Sequence, residues 1–377
     1  MKRAYVAAAA TVGLFVAVQV GALALVEPFV DAGYQTVEDP SDPTNSLLYV
    51  GAILVATAVM LGAIRLGVEG LLQGLIVFAA VFLAFYVFSV TVPAVVTYAG
   101  LNLPAVAAAA LLGVGLLAYP EWYVIDAAGV VMGAGAAGLF GISFGLAPAL
   151  LLLVVLAVYD AVSVYGTEHM LTLASGAMDL RLPVVFVVPL TLSYSFLDDD
   201  GPATLEDDEG PDDGDPDADG PGTGESDDVE ASDGEEPDGE EPDGEEPDSS
   251  DIDDDGSGDA DGSGGADDPA GEAFARDAFF IGLGDAVIPT ILVASAAFFR
   301  PGGAGLLAVP GLAVTLPALG AMAGTLCGLS GLLWLVTKGR AHAGLPLLNG
   351  GAIVGYLLGT ALAGVAVAEA VGLAPYL

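Results

Sequence analysis

Residues 279–292 read FFIGLGDAVIPTIL and residues 151–166 read LLLVVLAVYDAVSVYG. Each sets one carboxylate, Asp285 or Asp160, inside an apolar run. A charged side chain in the middle of a membrane span costs about 3 kcal/mol, so such a residue points to function by default. The chain has acid to spare elsewhere. Residues 198–272 hold 35 of its 49 acidic residues and neither Lys nor Arg.

That uneven distribution reconciles a net charge of −41 with a composition that is 54% hydrophobic. Outside the tract the chain is a series of long segments rich in Ala, Val, Leu and Gly, and runs of about 20 such residues span a bilayer as helices. The expectation is an all-α polytopic membrane protein of about nine transmembrane helices. The spans are expected at 4–26, 47–67, 71–92, 101–119, 127–145, 147–167, 278–299, 304–337 and 345–371. The first follows Lys2-Arg3 and is read as a retained helix, since it is longer than a signal-peptide core. The eighth is too long for one straight span, so part of it tilts, breaks or lies in a loop. With the N-terminus cytoplasmic, Lys2, Arg3, Arg65, Arg181, Arg276, Lys338 and Arg340 fall inside and Arg300 alone falls outside, as the positive-inside rule requires. The C-terminus is then outside. The surplus of acid even outside the tract suggests a salt-loving microbe.

The acidic tract repeats DGEEP and offers too little apolar surface to offset its ordering entropy, so a disordered cytoplasmic loop is expected between the sixth and seventh helices. The chain divides accordingly into an N-terminal membrane portion (1–197), the loop (198–275) and a C-terminal membrane portion (276–377). Ahead of the loop, residues 167–178 have the spacing of an amphipathic surface helix. The following PVVFVVPLTL is short, β-branched and bounded by proline, which suits an extended strand.

Of the 14 acids outside the tract, Glu27, Asp31, Glu38, Asp39 and Asp42 are assigned to the first outer loop. Glu69, Glu121, Asp126, Glu168, Asp179, Asp277 and Glu369 are assigned to span ends. Asp160 and Asp285 remain. Each lies eight residues from an acid at the cytoplasmic boundary, Glu168 or Asp277. Helical rise then sets both about 12 Å deep, on consecutive antiparallel spans. Two such acids can face each other and share one proton, one serving as general base for water and the other polarising a carbonyl. Paired carboxylates also serve ion-coupled transporters, and a non-proteolytic membrane protein is a further alternative. The neighbours favour hydrolysis. Gly282 and Gly284 leave the backbone beside Asp285 open to a close-lying substrate. GLPLLNGG (344–351) puts a proline at similar depth, where irregular backbone is tolerated along a cavity.

Tyr159-Asp160, Gly282-Leu283-Gly284-Asp285 and Pro346-Leu347-Leu348 resemble the YD, GxGD and PAL motifs of the presenilin and signal peptide peptidase family, here in an archaeal presenilin-like form. The likeness covers the chain outside the acidic tract. It implies an intramembrane aspartyl protease with Asp160 and Asp285 as catalytic residues. Tyr159, Gly282, Leu283, Gly284, Pro346, Leu347 and Leu348 would line the substrate path. It further implies substrates that are transmembrane helices within the lipid bilayer, unwinding to pair as a strand, for which PVVFVVPL is a candidate partner edge. The N-in orientation matches presenilin. Leu347 departs from the family's alanine and adds bulk. A literal Pro317-Ala318-Leu319 lies 32 residues after Asp285, too close for an exit, a full recrossing and a return, whereas Pro346 lies 61 after it.

Other chemistries fit less well. Gly141-Ile142-Ser143-Phe144-Gly145 and Gly328-Leu329-Ser330-Gly331 match serine-hydrolase patterns but lie in glycine-rich helices, and His169 and His342 are interfacial. Two histidines and the single Cys327 provide no metal site, so neither metal nor other cofactor is expected, nor any disulfide. A polyacidic chain is a poor nucleic-acid binder.

Overall fold

The computed structural model describes residues 2–37, 39–42, 44–66, 69–166, 185–190, 194–195, 278–307, 309, 311–336 and 343–372. The expected amphipathic helix, the acidic loop and both histidines lie outside the described residues. Helices α1 (Lys2–Asp31), α2 (Thr44–Arg65), α3 (Glu69–Thr91), α4 (Leu103–Ala118), α5 (Trp122–Ser143), α6 (Leu146–Gly166), α7 (Leu283–Phe299), α8 (Leu316–Val336) and α9 (Gly344–Leu362) follow the order read from the sequence. Seven are long and apolar enough to cross a membrane, and α4 and α7 are shorter apolar helices. A short α10 (Val367–Ala370) follows. The chain is a mostly helical, multi-pass membrane protein.

Two small sheets complete it. β1 (Thr97–Tyr98) and β2 (Leu101–Asn102) form a hairpin turned by Ala99 and Gly100, both at positive φ. β3 (Val185–Pro189) and β4 (Ala278–Gly282) pair antiparallel, with Val185 opposite Gly282 and Pro189 opposite Ala278. The strand expected in PVVFVVPLTL is thus present as β3.

Four boundaries differ from the sequence reading. The seventh span was expected to be helical from 278, yet 278–282 is β4 and the helix begins at Leu283. Aromatic and β-branched Phe279, Phe280 and Ile281 meet a matching strand, and pairing wins over helical continuation. Helical rise therefore does not measure the depth of Asp285, which sits in the first turn of α7. The eighth span keeps only its second part as α8. Arg300 and Gly302 at positive φ end the preceding segment, and the Thr315 hydroxyl accepts the Ala318 N–H at 3.2 Å to start the helix. The ninth span stops at Leu362, where Gly364 takes φ 73° and donates to the Ala361 carbonyl. The Tyr356 hydroxyl donates to the carbonyl of Ala370, fastening α10 back onto α9. Finally, α1 runs on to Asp31 because Val26 and Phe29 are buried, which puts Glu27 and Asp31 on its last turns rather than in a loop.

The core is built around α1, α5 and α7, with Phe29, Ala137, Ile142, Leu292 and Val293 among its fully or nearly fully buried members. The α2 helix instead exposes Ile53, Leu54, Val55 and Val59, the pattern of a lipid-facing surface. The tightest contact joins α8 to α9. Gly320, Gly324 and Gly328 descend α8 at four-residue spacing, against the backbone of Gly355, Gly351 and Leu347 on the antiparallel α9. A Cβ at any of the three would overlap a carbonyl oxygen across the interface. Small residues are what let two helices approach this closely in a bilayer. Gly324→Val is therefore expected to part α8 from α9 and lower stability by about 1–3 kcal/mol. Thermal unfolding in detergent measures this, and an unchanged midpoint would contradict the close packing.

Candidate active site

Three helix segments bring their acids and amides together. On α6, Asp160 is buried at 5% relative exposure while its neighbour Tyr159 is exposed. On α7, Gly282 is the residue before the first turn, and Leu283, Gly284 and Asp285 form that turn. On α9, Ala343 precedes the first turn and Gly344, Leu345 and Pro346 form it. The first N–H groups of a helix have no partner within it. Proline is tolerated there because it removes an amide the ladder does not use.

The first turn of α9 touches both acids. The Leu345 N–H donates to Asp160 Oδ2 at 3.0 Å. A Cβ on Gly344, one residue earlier, would stand 3.5 Å from Asp285 Oδ2. The same oxygen would lie 3.4 Å from a Cβ on Gly282. Asp285 is thus flanked by glycines from two elements. The two carboxylates are near enough to interact electrostatically. Negative charge at a helix N-terminus is favourable, and both acids occupy such positions, Asp160 at α9 and Asp285 at its own helix.

The rest of the motif residues support this turn. Leu348 is fully buried in a cluster with Phe15, Val18, Phe186, Ala286 and Leu329. Leu283 packs at the edge of the same cluster. Leu347 is half-buried, and its carbonyl lies against Gly328, the last step of the α8–α9 contact. One turn beyond, Asn349 Nδ2 donates to the Leu153 carbonyl of α6 at 2.9 Å. The α6–α9 pair is consequently pinned at Asp160 and again at Leu153.

Pro317-Ala318-Leu319 sits at the opposite end of α8, where Pro317 meets Gly359. It takes no part in the site. Ser143 is fully buried and accepts hydrogen bonds from Thr36 N at 3.2 Å and Thr36 Oγ1 at 2.9 Å. Ser330 donates to the Leu326 carbonyl of its own helix at 2.8 Å. Ser143 thus tethers the segment before α2 to α5, whereas Ser330 lies exposed on α8.

Two supporting residues escaped the sequence reading. Asp126, assigned to a span end, is 8% exposed on α5, and its Oδ1 accepts the Val187 N–H of β3 at 2.8 Å. The signal was an acid between Ile125 and Ala127-Ala128, but its partner is 61 residues away. Asn349 lay within the quoted GLPLLNGG, with nothing local to show that it reaches α6.

The chain matches a described family over most of its length. Residues 12–212 and 262–365 match the model of the family described as signal-peptide peptidase, presenilin aspartyl protease. Two solved structures, each described as a presenilin family intramembrane aspartate protease, are similar in fold and sequence. The one in space group C222 is 27% identical with a TM-score of 0.55, covering 94% of this chain and 99% of that one. The one in space group P2 is 29% identical with a TM-score of 0.53, covering 93% and 96%. Curated proteins gave no significant match. With the family match spanning more than half its length, the chain belongs to the signal-peptide peptidase and presenilin family and is an intramembrane-cleaving aspartyl protease.

Proposed function

We propose that Asp160 and Asp285 are the catalytic pair of this protease, acting on transmembrane segments within the bilayer. The observation that carries the assignment is the first turn of α9, which binds Asp160 through Leu345 and borders Asp285 at Gly344. One carboxylate takes a proton from water as the oxygen attacks the scissile carbonyl. The other, protonated, donates to that carbonyl oxygen; the first then passes its proton to the nitrogen as the C–N bond breaks and the amine leaves, and a hydroxyl proton of the tetrahedral species returns to the second. Gly282, Leu283 and Gly284 form the approach to Asp285, and Pro346 and Leu347 form the facing wall, with Leu348 of the same motif buried behind it. Tyr159 projects from α6 beside the pair.

An unwound substrate would meet the β3–β4 sheet next to this site. Val187 of β3 already donates to Asp126, so the assignment of β3 as the substrate's partner edge gives way to β4, which runs directly into Leu283. The charge pattern supports an N-terminus, acidic loop and short basic segments on the cytoplasmic side, and the division at 197 and 276 follows from it. A reporter fused at the acidic loop should be inaccessible from outside intact cells, and external labelling there would reverse the orientation.

Asp160→Asn and Asp285→Asn are each expected to lower cleavage of a single-span reporter in liposomes by about 100- to 10,000-fold. Full cleavage by either folded variant would remove that residue from the pair. Leu345→Pro probes the same site without touching an acid. The helix loses no internal bond, because the N–H at this position has no partner within it. Asp160 does lose its donor, so cleavage should fall by about 10- to 100-fold, and stability by the roughly 1–3 kcal/mol of one unsatisfied buried acceptor, which leaves the variant folded. Wild-type turnover in this variant would mean that the Leu345 amide does not orient Asp160.

A further inference from the structure

Asp126 is a carboxylate enclosed in a membrane protein, and the reaction as drawn gives it nothing to do. Its hydrogen bond to β3 is specific. The Oδ1 atom accepts the backbone N–H of Val187 at 2.8 Å, in the middle residue of β3. In an antiparallel ladder the N–H and C=O of a residue point to the same side, and successive residues alternate. Val187 therefore turns its amide away from β4 and toward α5. Phe186 and Val188 face their partners Ile281 and Phe279 with the ladder bonds.

The α5 helix grips β3 at neighbouring points. One turn after Asp126, a Cβ on Gly129 would stand 2.8 Å from the Phe186 ring, so the strand lies directly on the helix there. At the start of α5, Glu121 Oε1 accepts the Ser195 hydroxyl at 2.7 Å and tethers the chain beyond β3. Val187 itself is fully buried, against Ile125, Ala128 and Met132 of the same helix. From β3 the connection to the site is short. Val185 pairs with Gly282, and Asp285 follows three residues later in the turn that β4 enters.

We propose that Asp126 is a positioning residue for the catalytic centre: by holding Val187 it fixes β3 on α5, and through the β3–β4 ladder it fixes where Asp285 stands. The inference rests on Asp285 being catalytic. It assigns to a third acid a role that is neither chemical nor merely one of support for the fold. The requirement is for an acceptor oxygen at this point, which an amide also supplies.

The test compares Asp126→Asn, Asp126→Leu and Asp126→Ser in the full-length protein. It uses reporter cleavage in liposomes, amide hydrogen exchange over 278–282 and thermal unfolding. Asp126→Asn keeps an oxygen facing Val187 and should retain wild-type kcat and exchange. Asp126→Leu removes the acceptor and should lower kcat by about 10- to 100-fold with KM within about twofold, because a displacement of about 1 Å in a reacting group has that effect. Exchange in 278–282 should accelerate in parallel. If Asp126→Leu fails to fold, Asp126→Ser, which is polar but too short to reach Val187, decides the matter. Wild-type kcat in a folded variant lacking the acceptor would overturn the proposal. So would a loss confined to KM, an equal loss in Asp126→Asn, or collapse of both the Leu and the Ser variants. Undiminished cleavage by Asp285→Asn would instead overturn the catalytic pair, leaving the exchange result to report on the latch alone.

Discussion

A carboxylate removed from water must find donors, and inside a bilayer the backbone can spare them where a helix begins or along the open edge of a strand. The Leu345 amide is such a donor, and its bond to Asp160 is the contact on which the remaining arrangement depends. It joins two helices that are distant in sequence. The same turn carries Gly344 beside Asp285, so a displacement of α9 alters the surroundings of both acids at once. Asn349, bonded to Leu153, opposes such a displacement from one turn away. The glycine contact with α8 opposes it from the other face, ending at the Leu347 carbonyl.

The α8–α9 contact also lets the backbone of the Pro346-Leu347-Leu348 segment lie close against α8. Leu348 fills the buried cluster beneath the site, and Leu347 stays half-buried beside it. Gly328 contributes no side chain where the Leu347 backbone passes. Gly282 leaves the strand side of Asp285 uncovered, since a Cβ there would stand in contact with the carboxylate, 3.4 Å from Oδ2.

Much of this was legible in the sequence because it rests on hydrophobic run length and on rare residues in common surroundings. Asp160, Asp285, the glycines of GLGD and Pro346 stand out against Leu, Val and Ala, and the helix order follows from the apolar runs. Proline and β-branched residues marked β3 as extended. What stayed hidden needed long-range partners. Residues 278–282 belong to an apolar run in which helix and buried strand have no distinguishing period. Only the pairing with β3, across a separation of about 90 residues, decides for the strand. Asp126 stood near the start of its helix and read as interfacial because the amide it serves lies far along the chain. The break before α8 was half visible. The run was too long for one span, but its place was set by Arg300, Gly302 and Thr315 acting on local backbone geometry.

The β3–β4 ladder has one more consequence. It pairs a strand from the first six helices with one from the last three, and α5 and α6 meet α7 and α9 alongside it. Every bond described between the two halves is noncovalent and lies outside residues 191–277. The centre is therefore assembled by packing and hydrogen bonding between stretches far apart in the chain. The centre is in this sense a joint between two pieces that happen to be encoded as one chain.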